Sequence, residues 1–411
     1  MKPLRTLIIS LLLATVCLSA QASPADSLRF SVRGIVRDGS SGLALEAVSV
    51  TLPGTSYATV TNRDGSFVIK SDIEPRFVSF SLIGYNSLTV PAQGGTMRIR
   101  MDRSDLQLHP ATVIDGDPRA IVEFAISLIK QNSAEQSELF DCFYRETVQK
   151  RQRFIYVSEA VTQTYKSGAA NFLGRDRAAV VKSRLLKSPR ASDTLSVKIL
   201  GGPNMATELD IVKNQTMVLD ANSLDMYRFE MLPAEVIDGR MQFVIRFSPN
   251  VRDNEYALHR GTLYIDRQSL AFSRIEASLD MSDIDKATRM MLVRRPAGLR
   301  FRPKELSLLL VYKPEKDDGK YRLSYLRTQI RFNCDWKRRL FATDYTTVSE
   351  MVVTNRHTGI DAVPIQRADE FSSKVSLADK TQFYSDPEFW KAYNIIEPTS
   401  SLEHAIGRLK K

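Results

Sequence analysis

The stretch TVTNRDGSFVIK, residues 59–70, decides the fold of the N-terminal part of the chain. It places the polar turn NRDG between two segments with alternating side chains. Gly65 stands where such a turn needs a left-handed backbone. Phe67 and Ile69 then share one face of the second segment. The stretch predicts a β-hairpin.

The same alternation recurs in short segments on both sides of this hairpin, separated by turn residues. A region of this length with this pattern is typical of a small seven-stranded β-sandwich, which we expect within residues 28–103. The residues that we expect on buried faces are Val32, Gly34, Val36, Val48, Val50, Leu52, Val78, Phe80 and Leu82.

Several motifs in this region carry a family resemblance. They are G-x-V at 34–36, LEAVSV at 45–50, D-G-x-F at 64–67 and G-Y at 84–85. Over residues 30–102 the chain resembles the carboxypeptidase regulatory-like domain, a prealbumin-like sandwich common in exported proteins of Bacteroidota. The resemblance implies a scaffold without an active site. Most of the chain resembles exported Bacteroidota proteins that pair this sandwich with a second β-rich region. The further segments that carry this resemblance are FYRETVQKRQRFIYVSEAV (143–161) and FWKAYNIIEP (389–398).

The rest of the chain is also predicted to be mainly β. Asp117 and Pro118 begin an amphipathic linking helix at 117–132, and a larger antiparallel β-sheet domain follows at 138–355. Its clearest hairpin, residues 261–281, looks like those of periplasmic lipoprotein-carrier half-barrels, whose curved sheet offers an apolar concave face. A closed core under these strands is the alternative. Residues 356–411 form a polar and aromatic tail that ends in a short helix, SSLEHAIGRL.

The N-terminus indicates export. Lys2 and Arg5 precede an apolar run, and Ala20-Gln21-Ala22 follows it, so residues 1–22 are read as a signal peptide. Lipid anchoring through Cys17 is a weaker alternative, because the bulky Val16 precedes it. The whole chain has a formal net charge of +10. Export argues against a nucleic-acid partner, so the expected partner is an envelope component: a lipid, a polysaccharide or an outer-membrane protein. We expect a protein of the periplasm or the outer membrane, peripheral to the membrane.

No catalytic motif is present. The sequence has no H-E-x-x-H, G-x-S-x-G or P-loop, so we predict no cofactor and no metal. Glu146 and Glu159 could form a carboxylate pair, and Asp280, Asp283 and Asp285 could bind calcium, but both patterns are weak. Cys142 and Cys334 could form a disulfide in an oxidising compartment, or could be two buried thiols.

The one conspicuous candidate binding feature is basic. The residues that compose it are Arg289, Arg294, Arg295, Arg300, Arg302 and Lys304, with Lys337, Arg338 and Arg339 further on. Clustered arginines suit phosphate or carboxylate ligands, although solvated strand edges would show the same charges. The sequence therefore favours a non-enzymatic envelope protein that acts in binding or assembly at the outer membrane, with an anionic amphiphile as one possible ligand. The alternative is a hydrolase acting on envelope polymers or glycans without a recognisable motif.

Overall fold

The structure is a computed structural model, and the residues that it describes are 28–104, 116–193, 195, 197–199, 202–215, 218–251, 255–336, 342–372, 377, 382–383 and 390–409. The predicted signal peptide lies outside these residues, as do Lys337, Arg338 and Arg339. The described chain is mainly β, as predicted. It contains no helix that is both long and apolar enough to cross a membrane.

The N-terminal region is the predicted seven-stranded sandwich, with one sheet in the order β4-β1-β7 and the other in the order β3-β2-β5-β6. The residues expected on buried faces lie in its core; only Leu82 is partly exposed. The seven strands are β1 (Phe30–Asp38), β2 (Ser49–Thr51), β3 (Ala58–Val60), β4 (Ser66–Ser71), β5 (Phe77–Ser81), β6 (Leu88–Pro91) and β7 (Thr96–Met101). The prediction of a hairpin at residues 59–70 is wrong, because β3 and β4 lie in different sheets and the turn between them crosses from one sheet to the other. Alternation along the chain predicts two strands and a turn, but it does not specify which strands pair.

Two glycines of the family-like motifs have clear steric reasons. Gly65 has a φ of +77°, a left-handed conformation that glycine adopts without steric cost. At Gly34, an added Cβ would lie 2.6 Å from the carbonyl oxygen of Met97 and 2.8 Å from the ring of Phe67. Only glycine lets β1 approach its neighbours this closely.

The second region is built on one open sheet of eleven strands in the order β12-β13-β14-β15-β17-β18-β19-β8-β9-β10-β20. All neighbours run antiparallel except β10 and β20, which are parallel. The strands are β8 (Glu138–Lys150), β9 (Arg153–Lys166), β10 (Arg177–Lys187), β12 (Tyr227–Ile237), β13 (Arg240–Pro249), β14 (His259–Asp266), β15 (Phe272–Leu279), β17 (Leu299–Pro314), β18 (Tyr321–Trp336), β19 (Thr343–His357) and β20 (Gln382–Phe383).

The shorter elements lie around this sheet. A separate pair is formed by β11 (Lys198–Ile199) and β16 (Leu292–Arg294). The helices are α1 (Pro118–Ser127), α2 (Ile129–Asn132), α3 (Met205–Glu208), α4 (Ile284–Met291) and α5 (Ser400–Leu409). The predicted linking helix is therefore interrupted at Leu128. Asp117 is its N-cap, and its side chain accepts a hydrogen bond from the N–H of Arg119.

The two faces of the large sheet have different neighbours. The inner face packs against α1, α4 and the segment around α3, which together form the main core. On the opposite, outer face, Phe143, Tyr325 and Val352 pack with Val60 of the sandwich and with Trp390. The sandwich and the sheet are joined there by buried apolar contacts, and the β12 end of the sheet adds a hydrogen bond from the N–H of Gly84 to the carbonyl of Val236 at 3.1 Å.

Residues 390–409, the C-terminal clasp, bind both regions. The ring of Trp390 meets Phe143 of the sheet edge-on at 5.6 Å between centroids. On the sandwich side, Lys70 Nζ donates to the carbonyl of Trp390 at 2.7 Å, and its backbone N–H donates to Asn394 Oδ1 at 2.7 Å. Trp390 and Tyr393 of the predicted aromatic tail thus dock on the body of the protein, whereas Tyr384 and Phe389 lie outside the described residues.

Candidate functional site

The inner face of the large sheet is filled by the chain itself. Side chains of α1, α4 and the described residues between 197 and 227, which include α3, bury the apolar residues of this face in one continuous core. Two cavities that border it measure about 60 and 20 Å³. Ligand pockets usually measure about 300 to 1,000 Å³. The closed core, the alternative to an open concave face, is the arrangement that the structure shows.

The larger of these two cavities is lined by paired charges. Lys166 Nζ lies 2.6 Å from Asp176 Oδ2 and 2.7 Å from Asp210 Oδ2, and the hydroxyl of Tyr312 donates to Asp210 at 2.8 Å. Burial opposes the charged form of Lys166, but the two aspartates outweigh it and raise the pKa of its ammonium group. Because each carboxylate already has a cationic partner, this cluster stabilises the core and leaves no free carboxylate for acid–base chemistry.

The suspected pair of carboxylates is not formed. Glu159 lies on the outer face, where Arg145 Nη2 and Arg184 Nη2 each approach it to 2.7 Å. Glu146 follows Arg145 on β8, so its side chain points to the opposite, inner face. It accepts a hydrogen bond from the hydroxyl of Tyr144, a core residue of that face, at 2.8 Å. Burial raises the pKa of Glu146. Since neighbouring positions on a strand point to opposite sides of the sheet, the two carboxylates cannot act on one bond.

The three aspartates do not form a metal site either. Asp283 caps α4 by accepting from the N–H of Lys286 at 2.9 Å, and Asp280 pairs with Arg260 at 2.5 Å. Within the described ranges, no group of three or more His, Cys, Asp or Glu side chains could hold a metal ion.

The proposed disulfide is also absent, and both thiols are free and buried. Cys142 on β8 pairs with Val353 of β19, and Cys334 on β18 pairs with Thr343 of the same strand. These two partners, Val353 and Thr343, are ten residues apart on β19, which corresponds to about 33 Å of strand. A disulfide needs Cα atoms within about 7 Å. Burial raises the pKa of each thiol to about 12.

The six basic residues singled out by sequence lie in two places. Arg289 is in the last turn of α4, Arg294 is in β16, and Arg295 donates to the carbonyl of Leu299 at 3.0 Å. The others alternate along β17 with buried Leu299, Phe301 and Pro303, so their side chains are exposed on the outer face: Arg300, Arg302 and Lys304.

Lys304 contributes to a groove of about 460 Å³ at one end of the sheet, which we call the basic groove. Its Nζ lies 2.5 Å from Asp344 Oδ1, and Arg331 Nη1 lies 3.4 Å from Glu305 Oε2. Three of the lining side chains are cationic and one is acidic, so the groove suits an anionic group. Its lining residues are Arg151, Gln152, Lys304, Arg331, Asp344, Tyr345 and Thr346.

The hairpin between β8 and β9 positions Arg151 at this groove through a strained turn. Arg151 and Gln152 have φ values of +48° and +66°, a left-handed conformation that costs non-glycine residues about 1 kcal/mol or more each. The N–H of Arg151 donates to the carbonyl of Asp344 at 3.0 Å. Glycine or asparagine would normally occupy such a turn. The strained turn therefore holds an exposed guanidinium beside two other cations.

Sequence reasoning missed Arg151 and Arg331. The segment KRQR, residues 150–153, contains no glycine, asparagine or proline, so nothing in it indicates a turn. Arg331 continues the alternation of the polar residues Arg327 and Gln329. This alternation was the signal in the sequence that the three residues share one face of a strand. Its proximity to Arg151 depends on the pairing of β8, β19 and β18.

No protein-family model matches the sequence, and no curated protein matches it either. Among solved structures, the chain is similar to a DUF1329 family protein from Desulfovibrio piger, at 13% identity and a TM-score of 0.28, covering 60% of this chain and 95% of that one. It is also similar to an outer membrane lipoprotein-sorting protein domain from Vibrio parahaemolyticus, at 10% identity and a TM-score of 0.27, covering 60% and 94%. A LolA superfamily protein from Nitrosomonas europaea shares 13% identity at a TM-score of 0.20, covering 63% and 100%. At these TM-scores the likenesses carry no argument about function.

Proposed function

We propose that the protein is a non-enzymatic binding protein of the bacterial envelope. In this proposal the basic groove holds a phosphate- or carboxylate-bearing group of an envelope component. The observation that carries the proposal is the position of Arg151, which a strained turn holds beside Lys304 and Arg331 at an open groove. Arginine matches the planar geometry of carboxylate and phosphate with two parallel hydrogen bonds.

The filled inner face limits what kind of binding is proposed. A carrier that encloses acyl chains needs an apolar cavity, and the cavities of about 60 and 20 Å³ at this face are too small for one. An amphiphilic ligand would therefore be held by its anionic group, with its apolar part outside the sheet. The large sheet and the sandwich act as a rigid support, and we propose that residues 30–102 are a carboxypeptidase regulatory-like domain in this role.

The proposal is tested on mature protein purified from envelope fractions. Native mass spectrometry with lipid and glycan extraction identifies what copurifies, and a triple variant, Arg151→Gln, Lys304→Gln and Arg331→Gln, removes the three cations of the groove. A matched control carries Arg76→Gln, Arg190→Gln and Arg228→Gln, three exposed arginines elsewhere.

The expected result is a stoichiometric anionic component that is lost from the groove variant and kept by the control. A ligand-free mass for the unaltered protein, or equal retention by the two variants, would overturn the proposal.

A further inference from the structure

A second basic surface lies on the sandwich and shares no residue with the basic groove. On the outward side of the sheet β4-β1-β7, Arg33 and Arg37 of β1 and Arg98 and Arg100 of β7 are all exposed, and Ile35 lies half-buried between the first two. Arg37 and Arg100 are direct partners in the parallel pairing of the two strands. We call these four residues the arginine face.

Within the described residues, the arginine face has little compensating negative charge, and Arg37 Nη1 donates to a neutral acceptor, the carbonyl of Gly42, at 2.9 Å. The other outward residues of the three strands are uncharged except Lys70, whose ammonium group already binds the carbonyls of Trp390 and Tyr393. In the described part of the chain, none of the four arginines has an ion pair within 4 Å. Glu397 interacts electrostatically with Arg33 from the edge of the face. Like charges on adjacent strands are destabilising, so the arrangement costs stability unless an outside anion offsets it.

The shape of the face points to one kind of partner. Neighbouring strands lie about 4.8 Å apart, and alternate residues on one strand about 6.6 Å apart, so the four guanidinium groups start from one small patch of sheet. Side chains on one face of a sheet stand roughly parallel to one another, so the four arginines spread over an area and do not converge on a single ion. An extended surface that carries many phosphates would meet all four arginines at once.

We propose that the arginine face docks the protein onto an anionic phospholipid membrane surface. In this proposal the guanidinium groups contact lipid phosphates at the membrane surface. The contact is electrostatic and peripheral, without insertion of a segment into the bilayer. The basic groove is a separate site for one anionic group, so either proposal can fail alone.

The experiment is cosedimentation of the mature full-length protein with vesicles, with phosphatidylglycerol mixed into phosphatidylcholine and with phosphatidylcholine alone. The test variant is Arg37→Gln with Arg100→Gln. The control variant, Arg190→Gln with Arg228→Gln, removes the same charge from exposed positions outside the face. A second test variant, Arg37→Lys with Arg100→Lys, keeps the charge.

The unaltered protein should bind only the anionic vesicles, and binding should weaken as salt is added. Each charge near such a surface changes partition by about fivefold, so the test variant should bind roughly 25-fold more weakly. The lysine variant should keep most of the binding and the control nearly all of it. The thermal midpoint of the test variant should not fall, because a like-charge pair is removed.

Three results would overturn the proposal. The first is equal binding to the two vesicle types, and the second is an equal loss in the test and control variants. The third is vesicle binding that survives in the test variant while binding to a soluble acidic polysaccharide is lost, since that outcome would assign the face to a polymer.

Discussion

Asp64, in the turn between β3 and β4, caps α5. Its Oδ2 accepts hydrogen bonds from the backbone N–H of Ser400 at 2.7 Å and from the Ser400 hydroxyl at 2.9 Å. The turn itself is closed by Asn62, whose Oδ1 accepts from the N–H groups of Asp64 and Ser66. The turn that contains Asp64 therefore also binds the first residue of α5, which belongs to the C-terminal clasp.

Replacing Asp64 should loosen the end of the clasp without unfolding the sandwich. Asp64→Ala removes a cap worth about 1 kcal/mol, so amides of α5 should exchange with deuterium several times faster while β4 stays protected. Hydrogen exchange with mass spectrometry measures both segments. Asp72→Ala, at an exposed position on the same sandwich, is the control. Unchanged exchange in α5 would contradict the capping role.

Replacing Glu159 should be much more damaging, because its buried carboxylate pairs with two arginines, Arg145 and Arg184. Burial alone would raise the pKa of Glu159, but the two arginines outweigh it and lower the pKa. Glu159→Gln removes the counter-charge of the buried Arg145, which costs about 3 to 5 kcal/mol. The midpoint of urea unfolding measures this loss. Glu123→Gln, which breaks the exposed pair with Arg119, should cost less than about 1 kcal/mol. Similar shifts for both variants would show that the Glu159 network contributes little.

Asp266 should make stability depend on pH in the acid range. Burial alone would raise the pKa of its carboxyl, but hydrogen bonds from Arg240 and Ser269 outweigh burial and lower the pKa from 3.8 to about 2. A lowered folded-state pKa means that the ionised carboxylate stabilises the folded state. This contribution is complete above the unfolded-state value and is lost as pH falls towards about 2.

The comparison that isolates this effect is between the unaltered protein and Asp266→Asn. The variant should be less stable at neutral pH, and the difference in urea midpoint should shrink as pH falls from about 4 to about 2. A difference that stays constant through this range would mean that the charge of Asp266 does not contribute.

Two glycine substitutions in the strained turn should affect stability alike but binding differently. Arg151→Gly and Gln152→Gly each place glycine at a positive φ, so each should raise the free energy of unfolding by up to about 1 kcal/mol. Only Arg151→Gly removes a cation from the basic groove, so it should also weaken retention of the copurifying anionic component. Thermal unfolding and native mass spectrometry measure the two effects. If Arg151→Gly kept full binding, the strain at this turn would need another explanation.

The sequence by itself determined the sandwich and the character of the second region. Alternation in segments such as residues 259–279 depends on neighbours along the chain. It therefore predicted the hairpin at residues 261–281, and the structure pairs β14 with β15 there. The six basic residues were visible as a cluster for the same reason, because they are close in sequence.

Only the tertiary structure decided which of those residues share a surface. Arg151, Lys304 and Arg331 come from three different strands, and they meet because β8 pairs with β19 and β19 with β18. The arginine face likewise joins β1 to β7, more than 60 residues later, by a parallel pairing. The inner face is filled by segments far away in sequence. Strand alternation shows that a face is buried, but what buries it depends on long-range packing, which a local pattern does not encode.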